Sequence, residues 1–177
     1  MQFTPTAIPD VIKITPKVFR DDRGYFFEAY HKGRFEQGGI HTEFVQDNQS
    51  FSQKGTLRGL HYQLAPHAQA KLIRTLTGSI FDVAVDIRKN SPTYGLWVSE
   101  ILTAENQNWL YIPEGFAHGF YVMSDTAMIQ YKCSDYYAPD FERSIRWDDP
   151  TLNITWPLNG QPPILSPKDA DAAGFKG

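Results

Sequence analysis

Cys133 is the only cysteine in the chain, so no disulfide can form within it. The opening residues, MQFTPTAIPD, have neither a basic start nor a continuous apolar stretch, and no export signal is expected there. Long hydrophobic runs are missing as well. Asp82, Asp86 and Arg88 interrupt even the most apolar segment, Ser79 to Arg88, which is far short of the roughly 18 residues a membrane span needs. Nor is there an excess of positive charge: 17 Lys and Arg against 20 Asp and Glu give a net charge of −3, with a pI near 5.9. No stretch concentrates the basic residues, which argues against nucleic acid as a partner. An anionic small molecule is admissible, but single Arg and Lys side chains must converge on it, because the net field does not attract it. The expectation is a soluble, cytoplasmic protein that engages neither membrane nor nucleic acid.

What is present describes a turn-rich domain with a sizeable core: 41% hydrophobic residues, 14% aromatic, 13 Gly and 12 Pro in 177 residues. A single domain over 1–177 is expected, with Ala172 to Gly177 frayed. Strand signals dominate between Ile12 and Arg146. In Ile80 to Arg88, alternation sets Phe81, Val83, Val85 and Ile87 on one face and Ile80, Asp82, Ala84 and Asp86 on the other, predicting one core face and one face with two carboxylates. Similar segments are Val11 to Thr15, Gly24 to Ala29, Phe44 to Phe51, Leu57 to Gln63, Lys71 to Thr77, Leu96 to Leu102, Trp109 to Ile112, Gly119 to Met123 and Ala127 to Cys133. About ten strands at this spacing make an all-β sandwich or barrel. Helix is predicted only as peripheral turns near His31 to Gln37 and after Ser166, where Ser166, Pro167 and Asp169 read as N-cap, first-turn proline and capping acid.

Three clusters set polar residues in strand context. In Leu57-Arg58-Gly59-Leu60-His61-Tyr62-Gln63, parity puts His61 with Leu57, Gly59 and Gln63 and turns Arg58 away, unless Gly59 introduces a bulge, which is the expectation. Taken alone, His61 reads equally as a hydrogen-bonded core histidine and Arg58 as a rim residue. In Ile112 to Phe120, a Pro-x-Gly turn leads into a strand and aims His118 into its mouth; a turn followed by a buried histidine is the plainer alternative. In Gln130-Tyr131-Lys132, Tyr131 shares a face with Ala127, Ile129 and Cys133, the usual place for a core tyrosine.

Taken in order, these segments resemble the dTDP-4-dehydrorhamnose 3,5-epimerase family along nearly the whole chain. The likeness runs from Ile8-Pro9-Asp10-Val11 through Asp22-Arg23-Gly24-Tyr25-Phe26-Phe27-Glu28, Phe44-Val45-Gln46-Asp47-Asn48, Leu57 to Gln63, Lys71-Leu72-Ile73-Arg74, Phe81 to Arg88, Ile112 to Phe120 and Trp147-Asp148-Asp149 to Leu165-Ser166-Pro167-Lys168-Asp169-Ala170. It implies a cupin-type jelly roll and a dTDP-linked 4-keto-6-deoxyhexose as substrate. It also implies an isomerase of dTDP-L-rhamnose biosynthesis, which removes protons at C3 and C5, each next to the C4 ketone, and returns them to the opposite face. No redox cofactor and no metal are called for.

By the same resemblance His61 is the base, and an imidazole of ordinary pKa about 6.5 suits that task at neutral pH. Asp169 pairs with it, although a capping role for Asp169 is the rival account. Tyr131 is the acid, with an ordinary phenol pKa of about 10. General acid–base assistance is worth only about 10²–10⁴, so the enolate needs a stabiliser. Lys71 matches the cation near the C4 oxygen, and His118 is placed to donate a second hydrogen bond. Arg23 and Arg58 match arginines that contact the pyrophosphate. Glu28, Gln46, Asn48, Glu142 and Lys168 match positions lining the nucleotide-sugar site, and Tyr137 an aromatic that stacks on thymine. Asp82 is expected to support the site from behind.

Other classes compete. Metal-dependent cupins bring two closely spaced histidines and a glutamate, whereas His61-Tyr62-Gln63 offers one histidine. A non-catalytic nucleotide-sugar-binding module needs Arg23, Arg58 and Tyr137 but not His61, Tyr131 and Asp169 together. Relatives that invert only C3 or only C5 stay open. The resemblance further implies a homodimer with exchanged N-terminal strands, which can carry Arg23 and Glu28 into the partner's site.

Overall fold

Short alternating segments bounded by glycine and proline assemble into two facing sheets in the computed structural model, which describes residues 1–176. One sheet runs β1 (Gln2–Pro5), β2 (Ile12–Thr15), β10 (Trp109–Ile112), β7 (Lys71–Thr77), β12 (Thr126–Cys133), β5 (Gln46–Gln53). The other runs β13 (Glu142–Ser144), β6 (Leu57–Gln63), β11 (Phe116–Val122), β8 (Ser79–Asp86), β9 (Trp97–Thr103). A separate hairpin joins β3 (Phe19–Asp21) to β4 (Gly24–Phe26). From β5 to β12 the chain changes sheet at every step but β8 to β9, so that β5-β12-β7-β10 faces β6-β11-β8-β9, with antiparallel neighbours throughout. That is jelly-roll order, as an open sandwich.

Apolar cores lie between the sheets and behind each of them. Between them lie Ile73, Ile80, Ala84, Leu110, Phe116, Phe120 and Ile129. Behind the five-stranded sheet, Leu57, Leu60, Val83, Val85 and Tyr121 meet Ile145, Leu152 and Trp156 of the returning chain. Behind the six-stranded sheet, Ile14, Leu72 and Trp109 pack on Phe35 and Ile40 around α1 (Lys32–Gln37). The two faces of β8 sort as alternation predicts: Val83 and Val85 meet the outer core, and the even positions carry Asp82 and Asp86, with Ile80 and Ala84 beside them in the core between the sheets.

The helices fall where expected: His31 caps α1 by accepting from the Arg34 N–H, and Ser166 caps α2 (Pro167–Ala170) by accepting from the Asp169 N–H. Three strands, β1, β3 and β13, were not expected, being only three or four residues long. The C-terminal fraying is also corrected. Ala173 bridges Ile145, the Phe175 N–H donates to Asp149 at 2.8 Å, and the Phe175 ring packs on the second core, so these residues are tied down; Gly177 lies outside the described residues.

Candidate active site

The site begins with a packing conflict in β6. Leu57 and Leu60 are both fully buried against the outer core, yet an odd spacing places them on opposite faces of a regular strand. Each such burial is worth about 2–3 kcal/mol, enough to bend the strand to suit. The expected bulge resolves it: His61 pairs with His118 and Arg58 with Phe120, so Gly59 and Leu60 together oppose Gly119. Only glycine fits here. Gly59 has φ +126°, and a Cβ on it would lie 2.4 Å from the Gly119 Cα, while one on Gly119 would lie 2.9 Å from the Arg58 carbonyl oxygen. As a result Arg58, His61 and Gln63 turn together into the space between the sheets.

That space is a cleft of about 230 Å³. His61 and Gln63 line it from β6 of the five-stranded sheet. Lys71, Tyr131, Gln46 and Asn48 line it from β7, β12 and β5 of the six-stranded sheet. Gln69, Tyr137 and Glu142 form the mouth, with Tyr62 at the edge.

His61 Nε2 lies 2.5 Å from Asp169 Oδ1, and Asp169 is 3% exposed. Burial pushes the Asp169 carboxyl up, but the His61 hydrogen bond and charge, with the Ser166 hydroxyl, hold it net below the usual range. Being a carboxylate, Asp169 can only accept, so Nε2 carries the proton and Nδ1 keeps its lone pair. The two readings of Asp169 are compatible, because its backbone N–H takes the Ser166 cap while its side chain takes His61.

His118 does not sit in a strand mouth, as expected from the Pro-x-Gly turn. β11 already starts at Phe116, which pairs with Asp86, and His118 is mid-strand and 6% exposed. Its Nε2 lies 2.9 Å from Asp82 Oδ2. Burial lowers the His118 pKa, which Asp82 partly offsets. The Nε2 position is spent on Asp82.

Lys71 is buried, with Nζ 3.3 Å from the His61 carbonyl oxygen. Burial lowers its pKa, opposed by Cys133, Asp82 and Glu142. On the same sheet, burial raises the Tyr131 phenol, which Arg58 partly offsets. Arg58 Nε donates to Ser52 Oγ at 3.1 Å, bridging β6 to β5 across the open side of the sandwich. At the mouth, the Tyr137 hydroxyl donates to Glu142 (2.9 Å), Glu142 pairs with Lys168 (2.5 Å), and Gln46 accepts from the Tyr137 N–H (3.0 Å).

Two expected site residues lie elsewhere on the single chain. Arg23 is on the β3–β4 hairpin, 89% exposed and paired with Asp21, and Glu28 pairs with Arg34. Asp86, considered for the cavity, instead binds Arg88, Ser91 and Thr93 and pins the turn before β9. Sequence reasoning did not assign Gln63, Gln69 or Ser52 to the site, although parity had placed Gln63 on the His61 face. Among the described residues, no group of three or more His, Cys, Asp or Glu side chains is placed to hold a metal ion.

Comparison with known proteins identifies the family. The family model described as dTDP-4-dehydrorhamnose 3,5-epimerase matches residues 5–177. A dTDP-4-dehydrorhamnose 3,5-epimerase from Shigella flexneri is 54% identical over 176 residues, 99% of this chain and 96% of that protein. Among solved structures, a dTDP-6-deoxy-D-glucose-3,5-epimerase from Legionella pneumophila in complex with dTDP-4-keto-L-rhamnose matches with a TM-score of 0.94 and 52% identity, covering 98% of this chain and 92% of that one. A dTDP-4-dehydrorhamnose 3,5-epimerase from Bacillus anthracis with TDP and PPi bound matches with a TM-score of 0.95 and 43% identity, covering 98% and 99%.

Proposed function

The chain belongs to the dTDP-4-dehydrorhamnose 3,5-epimerase family, and from that premise we propose how its own residues carry the reaction. It is an isomerase of dTDP-L-rhamnose biosynthesis, inverting C3 and C5 of dTDP-4-dehydro-6-deoxy-D-glucose. His61 Nδ1 takes the proton from the carbon next to the C4 ketone, and the electron pair moves onto the C4 oxygen. Asp169 keeps Nε2 protonated and stabilises the imidazolium as it forms. Lys71 meets the enolate oxygen; its ammonium, withdrawn from water, interacts more strongly with that charge than a solvated one does. Tyr131 returns a proton to the carbon from the other side. The imidazolium then gives its Nδ1 proton to solvent and the phenolate takes one from solvent, which resets both groups before the second carbon reacts. The proton count closes with no change of oxidation state.

The observation that carries this reading is that His61 and Tyr131 belong to different sheets and line one cleft, so a sugar between them has the base on one face and the acid on the other. A base and an acid on one wall would return the proton to the face it left. Arg58, Gln46, Asn48, Glu142 and Lys168 are assigned to the nucleotide sugar and Tyr137 to the thymine. Asp82 orients His118 and favours the charged form of Lys71. We also read the protein as a cytoplasmic homodimer with exchanged N-terminal strands. The β3–β4 hairpin supports this, since Phe19, Tyr25 and Phe26 are 54%, 54% and 71% exposed there beside Arg23.

The test supplies dTDP-4-keto-6-deoxyglucose in D₂O and follows both carbons by NMR. Deuterium at C3 and C5 with L-configured product is the expected result; label at neither carbon overturns the assignment, and label at one carbon overturns the double inversion.

A further inference from the structure

Gln63 lines the cleft, yet neither of its N–H donors is left for a substrate. Its Nε2 donates to the His67 carbonyl at 2.6 Å and to the Tyr136 carbonyl at 3.2 Å, and its Oε1 accepts from the Ala138 N–H at 2.8 Å. An amide has two donors, and both are used. The side chain is 7% exposed, so water does not replace these bonds when they are lost.

The three bonds join two loops at the mouth, 64–70 between β6 and β7 and 134–138 after β12. The same seam is fastened by His67 Nδ1 to Asp135 Oδ2 at 2.9 Å and by Gln69 Nε2 donating to the Asp135 carbonyl at 2.7 Å. Tyr137 rides on the second loop and is 55% exposed, so burial does not fix it; its backbone is held by these side chains and by Gln46.

We propose that Gln63 is a positioning residue for nucleotide recognition, latching the two mouth loops so that Tyr137 stands where it meets the base of the dTDP group. The proposal rests on the reading of Tyr137 as the base-stacking residue. Although Gln63 is two residues from His61, it acts on binding and not on the proton transfers.

The experiment measures dTDP affinity by calorimetry, with KM and kcat for the sugar nucleotide. Gln63→Leu keeps the bulk and loses all three bonds. Its dTDP affinity and KM are expected to worsen by about tenfold to a hundredfold, with kcat within about twofold. His67→Ala, at a side chain 42% exposed, removes only the outer fastening and is expected to move affinity about threefold the same way; it reads the latch even if Gln63→Leu does not fold. In a Tyr137→Ala background, Gln63→Leu should add less than about twofold, because both act through one ring. A loss in kcat at unchanged dTDP affinity, or full additivity, overturns the proposal. If Tyr137→Ala weakens dTDP while Gln63→Leu and His67→Ala do not, the latch alone falls. If Tyr137→Ala leaves dTDP binding intact, the stacking reading falls and the latch with it.

Discussion

Replacing Asp169 by Asn separates the two services a carboxylate can render to His61. The first is charge. As the imidazolium forms against a carboxylate 2.5 Å from its Nε2, the charge centres are about 4 Å apart, worth about 4 kcal/mol at an effective dielectric near 20, or about 10³ in rate. The second is tautomer. The Ser166 hydroxyl donates to Asp169 Oδ2 at 2.8 Å, so an amide there is favoured with its oxygen toward Ser166 and its NH₂ toward His61. One such bond is worth about 1 kcal/mol, a preference of roughly fivefold for the orientation that moves the ring proton to Nδ1 and removes the base's lone pair. Asp169→Asn should thus lower kcat by about 10³–10⁴, a scale matching the amide replacement in a serine-protease His–Asp pair. Folding should persist, because the Asp169 N–H still bonds Ser166. Single-turnover deuterium uptake at C3 measures the rate, and ¹⁵N shifts of the His61 ring report the tautomer. Adding Ser166→Ala should restore only the roughly fivefold tautomer share and leave the charge loss. A fall of less than about tenfold, or a ring still protonated at Nε2 with the full rate loss unaltered by Ser166→Ala, refutes the corresponding half of the reasoning.

Asp82→Asn removes an anion that raises the Lys71 pKa against burial. The charged lysine is then lost at lower pH, so the alkaline limb of the kcat profile should move down in pH; an unmoved limb excludes the coupling. Tyr131→Phe should keep deuterium exchange through His61 and lose inversion, and inverted product at the parent rate removes Tyr131 from the mechanism. Sedimentation should give a dimer, and mixing Arg23→Ala with His61→Asn should restore activity in the hybrid; full activity in a monomer contradicts the shared site.

The fold was legible because most strands from β6 to β12 carry enough apolar residues to declare a face, and β5 was bounded by its neighbours. Three of them, β6, β7 and β10, have the predicted bounds, and the others begin or end within three residues of them. β1, β3 and β13 were not, since three or four residues give no period and their pairing is set by neighbours distant in sequence. Parity sorted the residues of β8 as the structure does, but the pattern of one strand does not reveal that the chain returns over it at Ile145 to Trp156. The chemical residues came through resemblance; His61 alone reads as a core histidine, and nothing local joins it to Asp169, 108 residues later. The polar fastenings, Gln63 to Tyr136 and Ser52 to Arg58, depend on loops and edges meeting in space, which no local pattern encodes.

The charges around the cleft also bear on the state of assembly. Asp82, Asp169 and Glu142 face Lys71, Lys168 and Arg58, so within one chain anions and cations already offset one another. A diphosphate brings further negative charge, and the net field of an acidic protein opposes it. Lys168 is paired with Glu142 at 2.5 Å and Arg58 spends only its Nε donor on Ser52, so a further cation adds to these two in offsetting a diphosphate. Arg23 fits that need. Its pair with Asp21 is solvent-exposed and two residues away in sequence, a weak bridge that a phosphate can displace. It stands on a hairpin whose aromatic residues also lack cover, so in the proposed homodimer one association event would both bury apolar surface and bring this cation to the partner's cleft.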